Sequence, residues 1–181
     1  FFICLYSKNT TGGDSMKKTA AIISFITVLT VLFSSCGRKD YGADGLAFRL
    51  LNLYDSLPPC SQFIKNGEEY SPGYISPEDF SFLYTGKREK LPEWDLIDSF
   101  RLIISDSTEF FEIHVIKVRN STDAERIVKL AERRQAMLEL HNKEDGDFPA
   151  KHADIFARGR YIVLLATYDN ESAIRMLKRR L

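Results

Sequence analysis

Tyr161, Ile162, Val163, Leu164 and Leu165 form a nearly unbroken apolar run. A strand with one wet face alternates apolar and polar residues, so a continuous run calls for a central strand covered on at least one face. It follows Asp154 to Arg158 after Gly159, and the stretches Asp154 to Arg158 and Arg160 to Thr167 are expected to form a strand pair turning at that glycine. A second pair is expected over Leu96 to Ser105 and Phe110 to Arg119. In the first of these, Phe100, Leu102 and Ile104 share a face. In the second, Phe111, Ile113 and Val115 lie opposite Glu112, His114 and Ile116. The short polar Asp106, Ser107 and Thr108 between them predict an antiparallel hairpin.

Helical signals surround these strands. Leu46, Leu50, Leu53 and Leu57 recur at helical spacing, and Pro58 and Pro59 predict the stop. The segment from Cys60 to Tyr74, with Gly67, Pro72 and Gly73, reads as loop. Ser76, Pro77 and Asp79 have the spacing of a helix start, and a short helix is expected through Tyr84. Thr122 and Glu125 have capping-box spacing before a helix whose stripe holds Ala124, Ile127, Val128, Ala131 and Leu138 and which should end near Leu140 or His141. Asp169 or Asn170 is expected to cap a last helix containing Ala173, Ile174 and Leu177. Its basic end, Lys178, Arg179 and Arg180, suits the negative end of a helix dipole; contact with a membrane is the alternative. The expected fold is α+β. A four-stranded, mainly antiparallel sheet comes from two strand-strand-helix units, with helices on one face and one or two N-terminal helices ahead of it.

The N-terminal third follows different rules. Ala20 to Phe33 is a 14-residue apolar run after Met16, Lys17 and Lys18. A membrane-spanning helix needs about 20 such residues, so residues 16–35 read as an export signal in preference to a transmembrane anchor. The exit, Phe33, Ser34, Ser35 and Cys36, resembles the lipobox of bacterial lipoproteins. Phe33 stands where leucine is usual, and Leu32 lies one place earlier. That resemblance implies a diacylglycerol on the Cys36 thiol and cleavage just before it; the alternative is a lone cysteine after a signal peptide. Two acyl chains anchor stably where one binds reversibly. Residues 1–15 precede Met16, and Gly12, Gly13 and Asp14 can be encoded by a purine-rich ribosome-binding sequence. They are expected to be an untranslated upstream segment, a native extension being the alternative. Residues 36–45 are expected to be a tether and residues 46–181 a single domain.

Two stretches, Glu112 to Val128 (EIHVIKVRNSTDAERIV) and Gly159 to Thr167 (GRYIVLLAT), together with the lipobox, resemble an uncharacterised family of lipoproteins from Gram-positive, clostridia-like bacteria. The likeness spans roughly residues 76 to 181. It implies a small C-terminal domain of shared fold and a surface location, and it carries no active-site residues to this chain.

Charge narrows the partners. The chain has 25 basic and 25 acidic residues, and from Cys36 on the formal charge is near −2. Nothing in that balance favours nucleic acid or an anionic bilayer. With Cys36 acylated, Cys60 has no partner for a disulfide within the domain, and burial without reactivity is its plainest role. Glu112 and His114, two apart on a strand, share a face and are candidate metal ligands or a proton relay; a polar outer face is the alternative. His141 with Glu144, Asp145 and Asp147 could gather a cation, though no zinc or calcium spacing is present. Phe80, Phe82, Tyr84 and Trp94 are expected to pack in the core, a carbohydrate or peptide surface being the alternative. No nucleophile elbow, phosphate loop or dinucleotide fingerprint occurs. The expectation is therefore a non-enzymatic domain without cofactor. It would be held to the membrane through Cys36, with an envelope protein as partner. A small-ligand or metal carrier is the second reading, and a hydrolase with an unrecognised site the third.

Overall fold

The computed structural model describes residues 40–65, 67–69, 71–107, 111–145 and 152–181, with side chains for all of these except 141–145. Cys36, residues 16–35 expected as an export signal, and the acidic stretch beyond Asp145 lie outside the described residues, as do the side chains of His141 and Glu144. Nine principal elements follow in chain order: α1 (Gly42–Leu51), β1 (Cys60–Ile64), α2 (Pro77–Thr85), β2 (Ile97–Ser105), β3 (Glu112–Val118), α3 (Ala124–Asp145), β4 (Asp154–Arg158), β5 (Tyr161–Ala166) and α4 (Asn170–Arg180). Short 3-10 turns at Pro92–Leu96 and Ser121–Asp123 lead into β2 and α3.

The fold is α+β with an antiparallel sheet in the order β1-β2-β3-β5-β4. It has five strands, not the expected four. Cys60–Ile64, expected as loop, pairs with β2 from Cys60 opposite Ser105 to Ile64 opposite Arg101. Its five residues, CSQFI, are half-buried and mixed in polarity, as suits an edge strand. The segment beyond it folds back, and Ile64 N–H donates to the Gly73 carbonyl at 2.9 Å.

Helices cover both faces of the sheet, which corrects the expectation of one. Every residue of β3 and of β5 is buried. Ile116, Val118, Ile162 and Leu164 point into a core shared with Phe80 of α2 and Ile127 and Ala131 of α3. Ile113, Val115, Val163 and Leu165 point the other way, towards Leu46 and Leu50 of α1 and Ala173 and Leu177 of α4. Because side chains alternate along a strand, two adjacent strands with no exposed residue demand a layer on each side.

Local chemistry explains most boundaries. Ser76 Oγ accepts from Asp79 N–H at 3.0 Å, Pro77 occupies the first turn of α2, and Gly86 closes that helix at φ 71°. Asp169 caps α4 by accepting from Ser172 N–H at 2.9 Å. Gly159 turns the β4–β5 hairpin at φ 59°, a left-handed conformation that other residues resist. Thr122 lies inside the 3-10 turn Ser121–Asp123, so winding starts ahead of the capping-box position. Helix α1 is displaced from the expected Leu46 to Leu57. It uses Ala43, Leu46, Ala47 and Leu50 as its buried stripe and leaves Leu53 and Leu57 outside it, exposed. The tether expected over 36–45 therefore overlaps the folded body from residue 40 on.

Phe80 is the hub of the α2 side. Its ring lies 4.7 Å from Tyr84, 5.2 Å from Phe100 and 5.3 Å from Trp94. Phe80→Ala would remove a fully buried ring from all three, and the expected cost is about 3–5 kcal/mol in a denaturant titration. A loss below about 1 kcal/mol would mean the ring is not part of a packed core.

Candidate functional site

Polar side chains from three elements meet beneath α2 and α3. Alternation along β3 sets Glu112 and His114 on the same face, and both are almost wholly buried, at 2% and 0% exposure. Tyr84, from the last turn of α2, lies over His114 with its hydroxyl 2.7 Å from Nδ1. Arg134, from α3, reaches down to Glu112. Its Nε donates to Oε2 at 3.1 Å, its Nη2 to Oε1, and its Nη1 to the Leu83 carbonyl at 3.4 Å. The guanidinium thus holds both carboxylate oxygens, the fork geometry that suits a buried pair.

Electrostatics follow from depth. Burial alone would raise the Glu112 carboxyl; His114 and Arg134 outweigh it and hold the group well below the usual carboxylate range. Burial, and then the charge of Glu112, push the Tyr84 hydroxyl far above its usual value against the pull of Arg134. The Tyr84 hydroxyl and His114 Nδ1 share one hydrogen bond, whose donor is set by the imidazole tautomer. Nε2 is 3.1 Å from Glu112 Oε2 but off the line of its N–H. The contact is therefore electrostatic and not an aligned hydrogen bond.

The arrangement locks α2 and α3 onto β3. As a metal site it supplies only two donors, and Arg134 already occupies both oxygens of one. Among the described residues no group of three His, Cys, Asp or Glu side chains converges on a point. As a proton relay it has no exposed member, Arg134 being the most accessible at 15% for its side chain.

A second polar cluster fastens the start of the described chain. Asp40 Oδ2 accepts from Lys117 Nζ at 2.7 Å and from Arg160 Nη2 at 2.8 Å, while Oδ1 accepts from the Tyr161 hydroxyl and from Gly42 N–H. Hydrogen bonds from Lys117 and Tyr161 hold the Asp40 carboxyl far below its usual range. Burial and the adjacent Asp40 push Tyr161 up to about 12.

Other expected residues separate. Phe80 and Tyr84 are core, Trp94 is half-buried, and Phe82 is 48% exposed. Phe82 borders a groove of about 300 Å³ between β1 and α2, whose walls include Phe63, Ile75, Leu83, Ile104 and Asp79. Cys60 is half-buried, its Sγ lies 3.2 Å from the Pro58 carbonyl, and burial followed by Asp106 raises its pKa, which opposes thiolate chemistry.

Sequence reasoning found Glu112 and His114 and missed Tyr84, Arg134 and Asp40 as their kind of partner. Arg134 had a signal. It stands three residues after Ala131 and four before Leu138, on the apolar stripe of α3, where a cation requires a buried counter-charge. The chain matches no protein-family model, no curated protein and no solved structure, so chemistry is assigned here from geometry alone.

Arg134→Met would strand a buried carboxylate and should cost about 3–5 kcal/mol, whereas Arg134→Met with Glu112→Leu should recover most of that loss. Because the folded Glu112 pKa is lowered, its contribution is complete above the ordinary value of 4.5 and is lost as pH falls below it. Glu112→Gln should accordingly show a flatter decline of stability below that pH, measured by denaturant titration across the acid range.

Proposed function

We propose that the protein is a lipid-anchored, non-enzymatic binding domain on the outer face of a bacterial cytoplasmic membrane. The observation that carries this reading is the succession of a cationic start, a 14-residue apolar run and Phe33-Ser34-Ser35-Cys36. A binding role is favoured over catalysis by the burial of the Tyr84, His114, Glu112 and Arg134 cluster. Those groups are sealed under two helices and pair with one another. The groove beside Phe82 is the surface that suits a partner, since it offers apolar walls with carboxylates at Asp79 and Asp106. An envelope protein presenting an apolar side chain flanked by basic groups fits that lining.

Mass spectrometry of protein extracted from cells should find Cys36 as an acylated N-terminus. Cys36→Ala should accumulate as an uncleaved, unacylated precursor; normal processing of that variant would end the anchor reading. Turnover of any substrate by the wild-type lipoprotein in an unbiased hydrolase screen, lost on Glu112→Gln, would replace the binding role with an enzymatic one.

A further inference from the structure

One end of the sheet gathers basic side chains from three elements. The β4–β5 hairpin supplies Arg158 and Arg160, the last turn of α4 supplies Lys178, Arg179 and Arg180, and β3 supplies Lys117. Contacts join them in two groups at this end of the strands. Arg158 Nη1 donates to the Lys178 carbonyl at 3.2 Å, and Arg160 and Lys117 share Asp40 Oδ2. Arg158 and the three α4 residues are exposed. The acids among them are Asp40 and Asp98, both on Lys117, the latter at 3.4 Å. Neighbouring Asp44 is held by Arg101 at 2.8 Å. Asp40 and Asp98 are thus taken up by the buried Lys117 and by Arg160, and Arg158, Lys178, Arg179 and Arg180 are left exposed beside them. A helix dipole accounts for cations in the last turn of α4. It does not account for the two arginines of the adjoining hairpin.

The approach to Cys36 leaves from this same patch. Asp40 is the fourth residue after Cys36, and four extended residues reach no more than about 14 Å. The groove beside Phe82 lies towards the opposite end of the strands. Ser61 and Ile104, in its wall, pair at the close of β2, whereas Val118 pairs with Ile97 at its start, beside Lys117.

We propose that this basic end docks on the anionic headgroups of the bilayer that holds the lipid. The domain would then stand with the β4–β5 hairpin and the end of α4 against the membrane and the groove turned outward. The inference rests on acylation of Cys36. The short leash keeps the near edge of the patch within about two screening lengths of the headgroups. There each exposed Lys or Arg strengthens surface contact about fivefold. Lipid and basic patch form the pair of signals that holds a domain in one orientation.

The test uses the acylated full-length lipoprotein, purified from cells and reconstituted in vesicles of phosphatidylcholine alone or mixed with phosphatidylglycerol. Hydrogen exchange at the 158–160 turn should slow about fivefold or more in the anionic vesicles. The slowing should vanish at high salt and in K178E/R179E/R180E, while β3 and β5 amides stay protected in both proteins. Equal exchange in the two kinds of vesicle overturns the docking. Protection by soluble polyphosphate over pure phosphatidylcholine, with none from phosphatidylglycerol, overturns it in favour of a free polyanion. The mass of the Cys36 peptide in the same sample separates the two failures: an unmodified thiol removes the anchor itself, and an acylated one with no protection removes only the orientation.

Discussion

Two adjacent strands with no exposed residue set the terms for this fold. β3 and β5 are buried along their whole lengths, so each of their faces needs its own cover. That requirement recruits α2 and α3 on one side and α1 and α4 on the other, and it leaves the half-buried β1 and β4 for the edges. The edges are short, at five residues each, and β1 is partly screened by the segment that returns through Gly73. Short edges limit the unpaired backbone offered to another chain.

The price of covering β3 on both sides is that its polar residues go inside with the rest. Glu112 and His114 cannot reach water; Arg134 and Tyr84, which arrive from two different helices, partner the carboxylate and Nδ1, while Nε2 has no aligned hydrogen bond. An ion pair at that depth contributes little net stability compared with an apolar substitute, but breaking one half of it is costly. Its effect is positional. Arg134 also meets the Leu83 carbonyl, so one guanidinium fixes α3 against both α2 and the sheet.

The parts of the fold that were legible in the sequence were those written in a single local rule. Tyr161 to Leu165 announced a buried strand, Ser76 with Pro77 a helix start, and Gly159 a tight turn, because apolar runs, caps and positive φ leave local marks. Strand β1 was hidden because CSQFI is only five residues long and sits between prolines and glycines that signal loop; only its pairing with β2 makes it a strand. The leucine spacing that extended α1 to Leu57 misled for a related reason. Leu53 and Leu57 have the right period, but no neighbouring layer reaches them. The face shared by Glu112 and His114 followed from strand geometry, while their depth depended on a second helical layer that no local pattern encodes. Asp40 was invisible, since its partners Lys117, Arg160 and Tyr161 come from strands far along the chain.

The Asp40 clasp also imposes an order on assembly. Lys117 is 77 residues beyond Asp40, but Arg160 and Tyr161 are 120 and 121 beyond it, so the set of partners is complete only after most of the polypeptide has been made. Helix α1 can wind early, yet its docking layer waits for β2 and β3 to lie side by side. Closure of the Asp40 cluster on Arg160 and Tyr161 therefore needs the β4–β5 hairpin in place, which makes it a contact of much longer sequence separation than the β2–β3 pairing beside it.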